Sequence, residues 1–261
     1  MTDLEEGARP HVDGRNGGPG ALRGLHAQTV ETIGSRIVNG RYSPGSALLP
    51  DKLEQEFGIS KTVLREALRV LAAKGLVDSR QRRGTVVRPR ASWSLLDADL
   101  LRWQGGEPDA AFLENLAEVR AIVEPAGARL AAERHTQDDL DALRVAVQAM
   151  ADAGTDAAAV VEADLAFHRA LLAAAHNELL SRMEVVIEAG LRARDQLVHS
   201  GEHWPDSVPV HQAIIDAVEA GDGARAAGAV EELLHQASRD MAPARTGKAP
   251  RRPRSRGTQT S

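Results

Sequence analysis

The 261-residue chain has no cysteine, only seven aromatic residues of the Phe, Trp and Tyr types, and four lysines among its 32 basic residues. Without cysteine there is no disulfide and no thiolate metal site, so any bound metal must be held by histidine and carboxylates. That usage also fits a reducing, cytoplasmic compartment. No apolar run approaches the roughly 20 residues that a membrane-spanning helix needs. The opening residues, with Leu4, Glu5 and Glu6 ahead of a Gly-rich stretch, lack the basic and apolar regions of a secretory signal. A soluble cytoplasmic protein with no membrane partner is expected.

What is present is charge, and it is segregated. The net charge is -5, but residues 21–92 carry 13 basic and 6 acidic groups whereas residues 93–241 carry 11 and 27. A basic module followed by an acidic one implies that only the first meets a polyanion such as DNA. Residues 1–20 and 242–261 are rich in Gly, Pro and charge and poor in large apolar side chains, so both ends are expected to be disordered, the second as a basic tail.

Residues 21–90 read as three helices and a small β-hairpin. Val30, Ile33, Ile37 and Val38 recur at helical spacing and make one apolar face, which Asn39 and Gly40 end. After Pro50 a short helix carries Leu53 and Phe57 inward, and Gly58 closes it because glycine accepts a positive φ cheaply. Ser60 caps a third helix whose Val63, Leu64, Ala67, Leu68 and Leu71 form a single stripe. Leu76-Val77 and Thr85-Val86-Val87 then form two short strands, a wing.

This order, helix, Gly-containing turn, then a helix opening on small polar and basic residues, is how a winged helix-turn-helix enters the major groove. Lys61 and Arg65, one turn apart, reach guanine edges or phosphates, with Arg69 a turn further along, and Thr62 bonds a base edge or touches a thymine methyl. The wing loop with Arg82, Arg83 and Gly84 suits an adjacent minor groove, where a narrow width favours arginine. An ordinary three-helix bundle with a solvated basic face is the plainer alternative.

Residues 93–241 show almost no strand signal. Amphipathic helices are expected near 94–103, 110–134, 136–152, 156–176, 178–200, 206–220 and 222–240, an antiparallel bundle of about seven, with Thr136-Asp139 as a capping box and Asp222 as a cap. The fold class is therefore mainly α, in two domains. Asp164 and His168 stand four residues apart and project from one helix face, and His211 and His235 lie on two later helices. If those helices pack beside the first, three imidazoles and a carboxylate make a site for a divalent ion such as Zn, Ni or Mn. Helix-surface histidines would give the same spacing.

The stretch from Gly58 to Val77 followed by Arg82 to Val87 resembles the winged helix of the GntR family over roughly residues 24–90. The resemblance implies operator contacts from Lys61, Thr62 and Arg65 and a wing tip at Gly84 beside the minor groove. It departs from the family at Asp51-Lys52, where arginine is usual, and at Lys61, which is often arginine. Asp164 to Asn177, His211 to Asp222 with His235, and Glu118 to Pro125 are similar to the FCD ligand-binding domain of the FadR-type members, over residues 93–241. There the quartet Asp164, His168, His211 and His235 is implied to hold a metal. Arg120 is implied to pair with the carboxylate of an effector, for which a guanidinium offers two parallel donors; a helix-surface pair with Glu124 is its alternative. The opening from Trp93 to Trp103 resembles the extra leading helix of a seven-helix subgroup, several members of which look like regulators of sugar-acid catabolism, which points to a sugar acid or hydroxy acid.

Together these readings describe a homodimeric DNA-binding regulator, a repressor acting on a palindromic double-stranded operator and released by a small carboxylate. Two rivals share the residues: a His3Asp metal-dependent hydrolase, which would need a general base as well, and a metal that only braces the bundle.

Overall fold

The computed structural model describes residues 19–80, 84–106, 108–198 and 207–245. The chain divides into two compact units between Ser94 and Leu95.

The first unit is built on α1 (Pro19–Val38), β1 (Ala47–Leu48), α2 (Pro50–Phe57), α3 (Lys61–Ala73), β2 (Val77–Arg80) and β3 (Gly84–Val87). Proline at the start of α2 costs nothing, since its missing N–H lies among the unpaired donors of the first turn. Gly58 ends the helix at φ +62, in the left-handed region where a side chain is disfavoured. Ser60 Oγ accepts from Val63 N at 3.4 Å and so fixes where α3 begins. Its stripe of Val63, Leu64, Ala67, Leu68 and Leu71 is buried with Ile33 and Ile37 of α1 in the core. Arg36 pairs with Glu56 and lies over the Phe57 ring, tying α1 to α2.

The wing is larger than the expected hairpin. Ala47–Leu48 adds a third antiparallel strand, giving the order β1-β3-β2, with Leu48 opposite Thr85 and Ser79 opposite Thr85 on the other edge. A two-residue strand is too short to show alternation, so only its partner reveals it. The chain then turns back on α3. Arg88 N donates to Leu76 O at 2.8 Å, Trp93 Nε1 to Arg88 O at 3.0 Å and Ser94 N to Lys74 O at 3.0 Å. Gly75, at φ +79, makes this approach possible, because a Cβ there would stand 2.2 Å from Ser92 O.

The second unit comprises α4 (Ala98–Gly106), α5 (Ala110–Arg134), α6 (Gln137–Ala153), α7 (Ala157–Ala174), α8 (Glu178–Ser181), α9 (Glu184–Val198), α10 (Val208–Glu219) and α11 (Gly223–Arg245). Polar side chains set the starts: Asp109 on Phe112 N, the Thr136-Asp139 capping box, Asp156 on Ala159 N and Asp222 on Arg225 N. The expected helix over 178–200 is two helices. Asn177 caps Leu179 and Leu180, α8 closes after one turn, and α9 restarts at Glu184. Further on, α11 runs through Pro243 to Arg245, into a segment expected to be unstructured.

One core gathers Leu140, Leu143 and Met150 of α6, Phe167 and Leu171 of α7, Ile214 and Val218 of α10 and Val230 of α11. A smaller one joins Leu101 of α4, Phe112 and Leu116 of α5 and Val186 and Ala189 of α9. Small residues set the helix spacing: a Cβ on Gly127 would lie 2.6 Å from Leu172 Cδ2. Helix α5 packs against α7, α9 and α11, so its inward face reaches the α7 residues that carry the expected ligands.

Candidate functional site

On the first unit, Lys61, Thr62, Arg65 and Arg69 are all exposed along α3, opposite its buried stripe. Arg65 and Arg69 keep 74% and 77% of their side chains in solvent. Glu66 lies between them, 3.8 Å from Arg65 Nε and 3.5 Å from Arg69 NH1, pairs too exposed to hold either arginine firmly. Lys61, Thr62, Arg65 and Arg69 line a cleft of about 530 Å³ together with Pro50 and Thr85. Gly84 begins β3 at φ +73; Arg82 and Arg83 lie outside the described residues.

On the second unit, α7 presents Asp164 and His168 on one face and α10 brings His211 to them. One ligand atom from each lies within 4.8 Å of the others. His211 Nε2 is 3.0 Å and His168 Nε2 3.6 Å from Asp164 Oδ1. The two histidines are almost fully buried, whereas Asp164 keeps 17% of its side chain exposed. Phe167 holds the rings edge to face, its centroid 4.6 Å from His211 and 5.8 Å from His168.

The remaining ring nitrogens are also engaged. His211 Nδ1 lies 2.8 Å from Ser207 O, and since a carbonyl only accepts, this nitrogen carries the hydrogen. His168 Nδ1 lies 2.7 Å from Glu124 Oε2, an ion pair when the imidazole is protonated. Glu124 Oε1 in turn accepts from Arg120 Nε at 2.5 Å. Burial alone would push Glu124 up, but Arg120 and His168 hold it down to about 2. Burial would push His168 down, but Glu124 and Asp164 hold it up to about 9. Asp164 is likewise held well below the usual carboxylate range, against its burial, by the two histidines.

His168 thus faces a carboxylate on either side, an arrangement that calls for positive charge between its Nε2 and Asp164. Protons supply it, and so would a cation. Two neutral imidazole nitrogens and one carboxylate oxygen form a donor set that suits Zn, Ni or Mn, with each Nδ1 oriented by an acceptor behind it, as metal-bound histidines require. The residues therefore fit a divalent ion.

His235 does not join them. It is exposed on α11, two residues from Leu233 and two from Ala237, both buried; at about 100° per residue that turns it to the opposite side of the helix. Arg120 is not the solvated surface cation that its spacing from Glu124 allows: both partners are buried, at 7% and 0% exposure. Glu124 is the participant that sequence reading assigned only to a surface pair. Its signal was the i, i+4 spacing to Arg120, but its depth depends on α7. His176, at φ +46, bonds Asp139 of the α6 capping box at 2.8 Å, and His199 and His203 lie outside the described residues.

A three-helix head with a wing, followed by an all-helical unit enclosing an Asp–His cluster, defines a two-domain transcription regulator. Comparison with known proteins gives the family. Residues 25–87 match the bacterial regulatory proteins of the gntR family and residues 115–236 match the FCD domain. The galactonate operon transcriptional repressor of Escherichia coli is 36% identical over 216 residues, 81% of this chain and 94% of that protein. The regulator LutR of Bacillus subtilis is 32% identical over 74% of this chain and 90% of its own length. Among solved structures, Lar, described as controlling the Listeria monocytogenes agr system, superposes with TM-score 0.59 at 21% identity, covering 83% of this chain and 95% of that one, which speaks to the fold. The chain belongs to the GntR family of transcription regulators, in the FadR-like group that carries an FCD domain. These relatives are named as transcription regulators and not as enzymes.

Proposed function

We propose that this regulator represses a catabolic operon and is released by a small carboxylate, a sugar acid or hydroxy acid, bound in the second unit beside a divalent metal. The observation that carries the reading is the continuous chain of contacts from Arg120 through Glu124 to His168, Asp164 and His211: a guanidinium for the acid's carboxylate and a donor set for a metal, joined by one side chain. Similarity to a repressor named for the galactonate operon frames the effector class. In this reading Asp164, His168 and His211 would hold the ion, which would supply positive charge beside the bound acid.

Lys61, Thr62, Arg65 and Arg69 read the operator from the major groove while Arg82, Arg83 and Gly84 reach the minor groove. The active species is a cytoplasmic homodimer, so that two recognition helices meet the half-sites of a palindrome. The acid must prefer one of two dimer geometries, because equal affinity for both shifts nothing. The near-complete burial of His168 and His211 favours a second reading, in which the metal only braces the bundle.

The test is fluorescence anisotropy on a duplex selected by the protein from a randomised pool. Galactonate, L-lactate and related acids should weaken binding in the presence of Zn2+, and Arg120→Gln should abolish the response while leaving operator affinity in place. No response to any of these acids would remove support for the sensing role. Chelation that lowers the melting temperature without changing the affinity for an acid would establish the bracing role instead.

A further inference from the structure

Glu124 touches both halves of the proposed sensing site. It sits one turn after Arg120 on α5, is 0% exposed, and divides its oxygens: Oε1 stands 2.5 Å from Arg120 Nε and Oε2 2.7 Å from His168 Nδ1. We propose that Glu124 is a positioning residue that couples anion binding at Arg120 to cation binding at Asp164, His168 and His211; this rests on the site assignment given above.

The guanidinium is held by one edge only. Its Nε is engaged by Glu124, and among the described residues none hydrogen-bonds its terminal nitrogens. On that side α9 presents Gly190, where an added Cβ would lie 3.1 Å from Arg120 Cδ and 3.8 Å from NH1. The missing side chain leaves room for the guanidinium, and its two terminal nitrogens form the parallel fork that a second carboxylate takes. A buried carboxylate shared by two cations then acts as the link. When an external anion draws on the charge of Arg120, Glu124 is neutralised less by the arginine and interacts more strongly with His168, which makes the imidazole a better donor to a metal. A cation on His168 draws on Glu124 in turn and frees Arg120 for an outside anion. Such coupling is reciprocal, and typical values are on the order of 5- to 150-fold.

The experiment is isothermal titration of Zn2+ into the full-length protein, alone and with saturating galactonate, L-lactate or oxalate, for the wild type, Glu124→Gln, Glu124→Asp and the double variant Arg120→Gln/Glu124→Gln. At least one acid should tighten Zn2+ about five-fold or more in the wild type. Glu124→Gln should weaken Zn2+ alone by about 10- to 100-fold, the usual cost of losing a partner behind a metal ligand, and bring the coupling below about two-fold; Glu124→Asp should recover part of both. If the single variant fails to fold around an uncompensated Arg120, the double variant, which removes both buried charges, decides the matter through its Zn2+ affinity. Wild-type coupling in Glu124→Gln, or wild-type Zn2+ affinity in the double variant, overturns the proposal, and so does the absence of coupling in the wild type. Titration of the same acids into metal-free wild type and Arg120→Gln judges the effector assignment separately.

Discussion

Metal-free protein should lose stability as the solution turns alkaline, and the loss should trace to one imidazole. Burial alone would lower His168 from its ordinary 6.5, but Glu124 and Asp164 hold it up to about 9. A raised value means that the bound proton stabilises the fold fully below about pH 6.5, and that this contribution disappears as pH climbs through about 9. A separation of about 2.5 units at roughly 1.36 kcal/mol each amounts to about 3 kcal/mol. Glu124, held down to about 2, reflects the same ion pair from the other side and is not added; its contribution is present above about 4.5 and is lost only in strong acid. For a unit of this size, about 3 kcal/mol corresponds to a melting-temperature decrease of roughly 6 to 12 °C. Zn2+ takes the place of the protons, so its apparent affinity should rise by up to about tenfold per pH unit across that window, and the loaded protein should melt at a steadier temperature. Circular dichroism melts between pH 6 and 9.5, with chelator or with Zn2+, measure both effects. Flat stability of the metal-free protein from pH 6.5 to 9, or an undiminished decline in His168→Gln, would refute the reasoning.

Other substitutions probe the remaining assignments. Arg65→Ala and Lys61→Ala should each cost about 1 to 3 kcal/mol on the selected duplex and relax base preference, as anisotropy on matched and random duplexes would show; equal losses on both would demote them to phosphate contacts. Gly75→Ala combines a positive φ with a Cβ 2.2 Å from Ser92 O and should destabilise the first unit by roughly 2 to 4 kcal/mol in urea melts, whereas a change under about 0.5 kcal/mol would mean the strap simply moves away. Phe167→Ala removes a fully buried ring that braces both histidines and should cost about 3 to 5 kcal/mol in the second unit and weaken Zn2+ binding; unchanged Zn2+ affinity would show that the imidazoles orient themselves.

Local chemistry made much of this protein legible before any packing was considered. The reach of a cap, the apolar stripe of α3, and the projection of Asp164 and His168 from one face all depend on residues within a turn or two of each other, where helix geometry leaves little choice. The same locality explains what was missed. Strand β1 exists only through its pairing with β3, and the helix expected over 178–200 closes after Ser181 and restarts at Glu184, a break that periodicity does not mark.

For the candidate site, the chain's own order of residues determined that a carboxylate and an imidazole would share a helix face, that a basic recognition helix would follow a glycine turn, and that Arg120 and Glu124 would stand within reach of each other one turn apart. Tertiary packing decided the rest. Burial of Leu233 and Ala237 sets the phase of α11 and leaves His235 in solvent, while α10 turns His211 inward onto Asp164. The approach of α7 to α5 converts an ordinary i, i+4 pair into a buried junction between a guanidinium and an imidazole. Spacing along a helix is a property of the backbone, but which side of that helix faces the core is settled only by the apolar surface of its neighbours.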